Sequence, residues 1–101
     1  MTGTIYTQEA LISIIVPLLK KYRAEKALLF GSYARREADH RSDIDLLVIG
    51  GDAFEPTDVF SMAEDLHRAT GKAVDVYELR EVDQGSEFYR AILREGVPIA
   101  A

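Results

Sequence analysis

Two aspartates, Asp43 and Asp45, stand at the head of an apolar run, from about Ile44 to Ile49, that is typical of a buried β-strand. Side chains alternate across a strand, so both carboxylates point to one face, roughly 6–7 Å apart along the backbone. Left bare, two such carboxylates repel each other, and burial disfavours their charged form. A divalent cation between them reverses this balance. Mg²⁺ fits best, because it prefers oxygen ligands and is usually held by one or two carboxylates together with substrate phosphates.

A third acid, Asp75, lies in the segment "AVDVYEL" and alternates with Val74 and Val76. If this segment forms a strand parallel to the first and next to it, Asp75 stands beside Asp45 at the same edge of the sheet. Three carboxylates on one face can hold two metal ions, the arrangement used for in-line displacement at phosphorus. Each acid also has a structural interpretation: Asp43 as a turn or cap residue, Asp45 as a solvated strand residue, and Asp75 as the ion-pair partner of Lys72 or an arginine.

A glycine and a serine, Gly31 and Ser32, follow the apolar run from about Lys26 to Phe30 and open a short helix that we predict to end near Ala38. Glycine lets the backbone approach a ligand closely, and a helix N-terminus offers free N–H groups and the positive end of its dipole. Alone this pair is a weak signal, because most such dipeptides are simple turns. Beside the acids it predicts a phosphate cradle, in which the metal offsets the acids and the phosphates offset the metal.

Positive charge is concentrated next to the acids, although the chain as a whole is acidic. Three arginines lie within seven positions of one another: Arg35, Arg36 and Arg41. A basic patch beside an acidic one suits a small ligand that carries phosphates and metal. Ser42 either caps the turn before the strand or takes part in this site, and the sequence favours neither.

The elements that position these residues alternate between strand and helix. We predict helices at about 8–23, 57–70 and 86–95, in addition to the short one at 32–38, and strands at about 26–30, 44–49 and 73–79. The link between the second and third strands carries a full helix, as a parallel crossover requires, whereas the first link, of about 13 residues, only reverses the chain. The sequence therefore predicts an α/β (α+β) domain with a small mixed three-stranded sheet flanked by about four helices.

The first helix is unusually apolar. Thr7 is its predicted N-cap, and Pro17 should kink or divide it. Seven apolar residues leave hardly any polar face: Leu11, Ile12, Ile14, Ile15, Val16, Leu18 and Leu19. Either the helix packs deeply between sheet and loops, or its spare apolar face meets a partner chain. For the last helix we predict an apolar side made of Phe88, Ile92 and Leu93.

Composition and charge limit the class of protein. The 101 residues, 48% of them hydrophobic, predict one domain spanning residues 1–101. The chain has no cysteine, which excludes disulfides and thiolate metal sites. A net charge of −5 argues against a nucleic-acid binder that works by neutralising phosphates. The start lacks a signal-peptide pattern, and the most apolar segment is about half the roughly 20 residues that span a bilayer. We therefore expect a cytoplasmic protein with no membrane partner.

The segment "FGSYARREADHRSDIDLLV", followed later by "VDVYEL", resembles the nucleotidyltransferase superfamily of DNA polymerase β type. The signature of that superfamily is Gly-Ser after a strand, then Asp-x-Asp, then a third acid on a following strand. The short length, the leading helix and the form "GSYAR…SDIDLLV" are similar to the minimal nucleotidyltransferase (MNT) family of prokaryotes. The resemblance covers nearly the whole chain and implies the polymerase β-like fold.

The resemblance also implies roles for individual residues. Gly31 and Ser32 would bind the phosphates of a nucleotide, and Asp43 and Asp45 would hold Mg²⁺. Asp75 would complete the metal site, with two ions expected, and would accept the proton of the attacking hydroxyl. Arg35 or Arg41 would stabilise the developing charge together with the metals. The family typically has glycine where this chain has Arg36, so the geometry of that loop is in question.

Proteins of the MNT family are similar to antitoxins encoded beside a HEPN-domain partner, an RNase-type toxin, and some transfer AMP from ATP to a tyrosine of that partner. The resemblance therefore implies an Mg²⁺-dependent enzyme with ATP as substrate, in which a hydroxyl attacks the α-phosphorus and pyrophosphate leaves. The alternative is a module without catalysis that neutralises its partner by binding alone. Transfer to a small molecule such as an aminoglycoside is disfavoured, because we expect no separate acceptor-binding domain. No basic template groove is evident, so we expect no direct DNA binding.

Overall fold

A computed structural model describes residues 4–101, which form three α-helices and four strands. The helices are α1 (Gln8–Lys21), α2 (Asp58–Thr70) and α3 (Glu87–Glu95). The strands are β1 (Lys26–Phe30), β2 (Ile44–Ile49), β3 (Val74–Glu78) and β4 (Val97–Ala100), and a short 3-10 turn, Leu79–Glu81, follows β3. No helix in this part of the chain is long and apolar enough to cross a membrane.

The sheet is mixed, with the strand order β3-β2-β1-β4. β1 runs antiparallel to both β2 and β4, whereas β2 and β3 are parallel and joined by α2. The register pairs Phe30 with Asp45 and Asp45 with Asp75. The predicted directions of the first three strands are therefore confirmed. The end of β1 and the starts of β2 and β3 share one edge of the sheet.

The predicted number of elements was wrong in two respects. The sheet has a fourth strand, β4, which the sequence analysis did not identify, and residues 32–36 form a hydrogen-bonded turn instead of a short helix. The Arg35 N–H donates to the carbonyl oxygen of Gly31, four residues earlier, as in an α-helix. The Glu37 N–H then donates to the carbonyl oxygen of Ser32, five residues earlier, which breaks the helical pattern. Arg36 has a φ of +58°, which a right-handed helix cannot accommodate.

Helices α1 and α2 cover one face of the sheet. Leu11, Ile15 and Leu19, spaced four residues apart along α1, are fully buried in the core there. The remaining apolar residues of α1 are partly buried and pack against the same core: Ile12, Ile14, Val16 and Leu18. The structure thus supports the interpretation of α1 as a deeply packed helix. Thr7 caps it as predicted, and the helix continues through Pro17 without dividing.

Helix α3 covers only part of the opposite face. Its Ile92 is buried with Phe30 and Leu47, in a second and smaller core. The predicted apolar side was wrong for the other two residues, since Phe88 and Leu93 are 45% and 55% exposed. The acids lie on this thinly covered face, because Asp45 and Leu47 alternate with the buried Leu46. Water and ligands can therefore reach them.

Candidate active site

Asp45 lies at the centre of the candidate site, at the start of β2. Its carboxyl is partly buried, and burial is the main cause that raises its pKa to about 6. The charges of Asp75 and Asp43 act in the same direction, in that order, whereas the Arg35 guanidinium opposes them. Asp75 is its direct neighbour across the parallel pair β2–β3. Asp45 is thus a carboxylate held against like charges, which is unfavourable unless a cation compensates it.

Gly31 gives the turn after β1 its close contact with Asp45. A Cβ atom at this position would stand 2.3 Å from Asp45 Oδ2, far inside van der Waals contact. The backbone also has a φ of +77°, which glycine adopts without a steric penalty. Both facts require glycine here. The backbone of the turn therefore lies directly against the acid, as the predicted cradle needs.

Gln8, in the first turn of α1, holds the turn that carries Gly31 and Ser32. Its Nε2 donates hydrogen bonds to the carbonyl oxygens of Tyr33 at 3.0 Å and Ala34 at 3.1 Å, and its side chain is buried. The sequence pattern alone did not single out Gln8 as a residue of the site. A signal was present, because Gln8 falls on the same helical face as Leu11, where an apolar residue is expected.

Arg36 stands where the resemblance described above leads us to expect glycine. Its φ of +58° lies in the left-handed region that glycine adopts readily. Arg36 therefore holds a backbone conformation that glycine adopts readily, so the turn has a geometry that would also suit glycine. The Arg36 guanidinium is exposed, with Glu9 at 4.0 Å as its ion-pair partner.

Glu95, the last residue of α3, reaches into the cradle, although the sequence pattern alone did not single it out. Its Oε1 accepts a hydrogen bond from the Gly31 N–H at 3.2 Å and another from Arg35 Nη1 at 3.2 Å. Its charge is a further cause of the raised pKa of Asp45. The available signal was an acid in the last turn of a helix, where the macrodipole disfavours negative charge.

The loop before β2 forms its own hydrogen-bonded turn. Ser42 Oγ accepts from Asp39 N–H at 2.8 Å and donates to Asp39 Oδ1 at 3.3 Å, so the hydroxyl of Ser42 is used within the loop. Arg41 N–H donates to the same carboxylate at 2.8 Å, and this bond lowers the pKa of Asp39. From the other side, Lys72 Nζ donates to His40 O at 3.0 Å. The loop is therefore fixed at both ends next to Asp43.

Asp43 and Asp75 are both exposed. Asp43 lines an open depression of about 520 Å³ together with residues of the α2–β3 connection. Both acids remain accessible to a ligand.

The donor set fits Mg²⁺, although the three carboxylates are not gathered in advance. In the described part of the chain, no three acidic, histidine or cysteine side chains lie close enough together to form a ready metal site. The sheet register brings Asp45 and Asp75 together, and Asp43 is near enough to act on the charge of Asp45. Hard carboxylate oxygens, one of them partly buried beside like charges, match what this cation requires.

Three aromatic side chains form a cluster next to the acids, two of them on strands and one on α3. The ring centroids of Phe30, Tyr77 and Phe88 lie 5.6–6.2 Å apart in tilted and edge-to-face contacts. Tyr77 follows Asp75 by two residues on β3 and is 37% exposed. An aromatic surface therefore adjoins the accessible acid of the site.

Comparisons with known proteins agree with this geometry. A family model described as "Polymerase beta, Nucleotidyltransferase" matches residues 13–101. A protein of Methanocaldococcus jannaschii with the name "Putative protein adenylyltransferase MJ0435" is 42% identical over 62 residues, which cover 61% of this chain and 67% of that protein.

Solved structures show similar folds. One described as a "putative minimal nucleotidyltransferase" is 27% identical, with a TM-score of 0.72, and the match covers 96% of this chain and 100% of that chain. A chain from a structure described as "the toxin-antitoxin with AMP-PNP" is 25% identical, with a TM-score of 0.73, and here 86% of this chain and 70% of that chain are covered. The family match includes the glycine turn, the three acids and Glu95.

Proposed function

This chain belongs to the polymerase β nucleotidyltransferase family and is a nucleotidyltransferase, and from that premise we propose that it transfers AMP from ATP to a tyrosine hydroxyl of a HEPN-type toxin. In this proposal it acts as the Mg²⁺-dependent antitoxin of the pair. The observation that carries the proposal is the register of Asp45 with Asp75 at an open sheet edge, directly beside the glycine turn.

The proposal gives each site residue a role that agrees with its position. Asp43, Asp45 and Asp75 would hold Mg²⁺, which when bound supplies positive charge against the negative charge that develops at phosphorus. The Gly31 N–H, the Ser32 side chain and the Arg35 guanidinium would hold the phosphates. Arg41 and Ser42, on the loop before β2, would have smaller roles, since the Ser42 hydroxyl already bonds within its loop.

The transfer itself is a substitution at the α-phosphorus. The acceptor oxygen forms the new P–O bond while the bond to pyrophosphate breaks, and pyrophosphate leaves with its electron pair. The proton of the acceptor hydroxyl passes to the Asp75 carboxylate, which lies on the edge strand β3 and is exposed. Because Asp75 is exposed at the edge of the sheet, the hydroxyl of a large acceptor can reach its carboxylate.

Two observations support a polypeptide acceptor. The exposed rings of Tyr77 and Phe88 lie on the acid face, and aromatic residues of this kind are enriched at protein interfaces. The similar M. jannaschii protein carries a protein adenylyltransferase name, and a similar solved chain comes from a toxin–antitoxin complex with AMP-PNP. A small-molecule acceptor has no comparable support.

The test is transfer of label from [α-³²P]ATP, with Mg²⁺, to the product of the adjacent reading frame. We expect label on a tyrosine of that partner, and loss of label with the double variant Asp43→Asn, Asp45→Asn. Asp52→Asn, which removes an exposed aspartate in the turn after β2, is the matched control and should leave labelling unchanged.

Two results would count against the proposal. The first is a partner that binds this protein but takes up no label. The second is a double variant that still neutralises its partner in cells, which would favour neutralisation by complex formation alone. The lack of a pre-gathered set of three acids within residues 4–101 makes this second outcome the one to examine first.

A further inference from the structure

We propose that Glu95 occupies the place of a nucleotide phosphate in the nucleotide-free protein, and that the nucleotide must displace it in order to bind. The inference rests on the proposed function, which assigns Gly31 and Arg35 to phosphate binding. It adds a residue that lies outside the glycine turn and the three acids, and it gives that residue an effect on nucleotide affinity.

The geometry of the contact is that of a bound oxyanion. One oxygen of Glu95, Oε1, accepts from both the Gly31 N–H and Arg35 Nη1 at 3.2 Å, and Oε2 lies 3.4 Å from the same Nη1. A backbone N–H at a glycine turn, combined with a guanidinium, is the donor pair that phosphate oxygens use. In the free protein the carboxylate therefore accepts from two of the three groups that we assign to phosphate binding.

The position of Glu95 on its helix does not explain the contact. Negative charge in the last turn of a helix opposes the macrodipole, so α3 gains nothing from an acid at its C-terminal residue. The other acid of α3, Glu87, stands in the first turn, where charge is favourable, and pairs with Arg90 and Arg94. Glu87 thus stabilises the helix, whereas Glu95 forms its hydrogen bonds with the cradle.

Electrostatics make Glu95 a competitor of the substrate. It brings a negative charge to a site that already holds Asp45 and must receive phosphates, and its side chain is 28% exposed, so it can swing out to water. A triphosphate offers more oxygens and more charge than one carboxylate, so the exchange is favourable, but part of the binding energy is used in breaking the contacts of Glu95. A neutral side chain of the same shape competes less, because hydrogen bonds to charged groups are roughly twice as strong.

The test compares nucleotide affinity in three proteins. We expect Glu95→Gln to bind α,β-methylene-ATP with Mg²⁺ about tenfold more tightly than the wild type in titration calorimetry. Glu87→Gln, which removes the same charge from the same helix away from the cradle, should remain within about twofold of the wild type. An unchanged or weaker affinity in Glu95→Gln would overturn the inference, since a residue that merely orients Arg35 would lower the affinity when removed.

A second measurement uses the wild type alone, so that it does not depend on the folding of a variant. On titration with the same nucleotide, the Gly31 amide and the Glu95 side-chain carboxyl ¹³C resonances should shift together, because the hydrogen bond passes from carboxylate to phosphate. A Glu95 carboxyl resonance that stays in place while nucleotide binds would contradict displacement.

The two proposals fail in different ways. If the wild type binds the nucleotide and Glu95→Gln is not tighter, only the role of Glu95 is lost. If Glu95→Gln binds and the wild type does not, the role of Glu95 is strongly supported. If neither protein binds any nucleotide in Mg²⁺, both the proposed function and this inference are wrong.

Discussion

Replacing Asp45 with asparagine should stabilise the metal-free protein at neutral pH. A carboxyl whose pKa rises from 3.8 to about 6 corresponds to at most about 3 kcal/mol of unfavourable interaction in the charged form. Because this carboxyl is only partly buried, solvent screening reduces the effect to on the order of 1 kcal/mol. Asparagine has nearly the same shape and no charge, so it removes that interaction.

The sign of the pH dependence follows from the direction of the shift. The folded protein takes up a proton on Asp45 more readily than the unfolded chain does, so its stability falls as pH rises between about 4 and about 6. Above that range the carboxyl is charged in both states and the full destabilisation remains. The stability gained by Asp45→Asn should therefore be near zero at pH 4 and largest at pH 7 to 8.

The measurement is urea unfolding in EDTA from pH 4 to 8, for the wild type, Asp45→Asn and the control Asp52→Asn. The difference in unfolding free energy between wild type and Asp45→Asn should grow with pH, while that of the control stays flat. Added Mg²⁺ should then stabilise the wild type more than Asp45→Asn. A variant less stable than the wild type at pH 7.5, or a difference independent of pH, would refute the idea that Asp45 is held in an unfavourable charged state.

Three further substitutions, together with one control outside the site, test the turn after β1. Gly31→Ala places a methyl group 2.3 Å from Asp45 Oδ2, so nucleotide affinity in calorimetry should fall at least tenfold; near wild-type affinity would argue against a close cradle. Arg36→Gly relieves a φ of +58° and should raise the unfolding free energy by up to about 1 kcal/mol without loss of affinity. Arg23→Gly, at a φ of +63° outside the site, should give a similar gain and serves as its control. Gln8→Ala removes two hydrogen bonds to the turn and should lower both stability, by about 2 kcal/mol, and affinity; an unchanged dissociation constant would mean that Gln8 does not position the cradle.

The arrangement of the acids could be predicted because it depends on local rules. Alternation of side chains along β2 and β3 places Asp45 and Asp75 on one face, and a full helix between two strands makes them parallel. These rules hold whatever the rest of the chain does. The same reasoning could not place the carboxylate oxygens, since their positions depend on mutual repulsion and on any cation that binds.

The elements that were missed depend on contacts between distant parts of the chain. Residues 32–38 contain good helix formers, but the bonds from Gln8 and the left-handed backbone of Arg36 hold a turn instead. β4 is only four residues long and contains Pro98, which is tolerated because β4 lies at an edge of the sheet. β4 directly follows α3 and pairs with β1, so it holds the C-terminal end of α3 next to β1. Glu95 can therefore reach the cradle that follows β1.

Two unfavourable features of this fold lie at one edge of the sheet. Arg36 has a left-handed backbone, and Asp45 is held beside like charges. The opposite face, under α1 and α2, carries the larger apolar core, which supplies the stability that these features reduce. A fold selected for stability alone would carry neutral side chains at this edge. The like charges around Asp45 and the left-handed backbone of Arg36 nearby are therefore an argument that this edge binds a cation and a phosphate, and removal of the Asp45 carboxylate should weaken that binding.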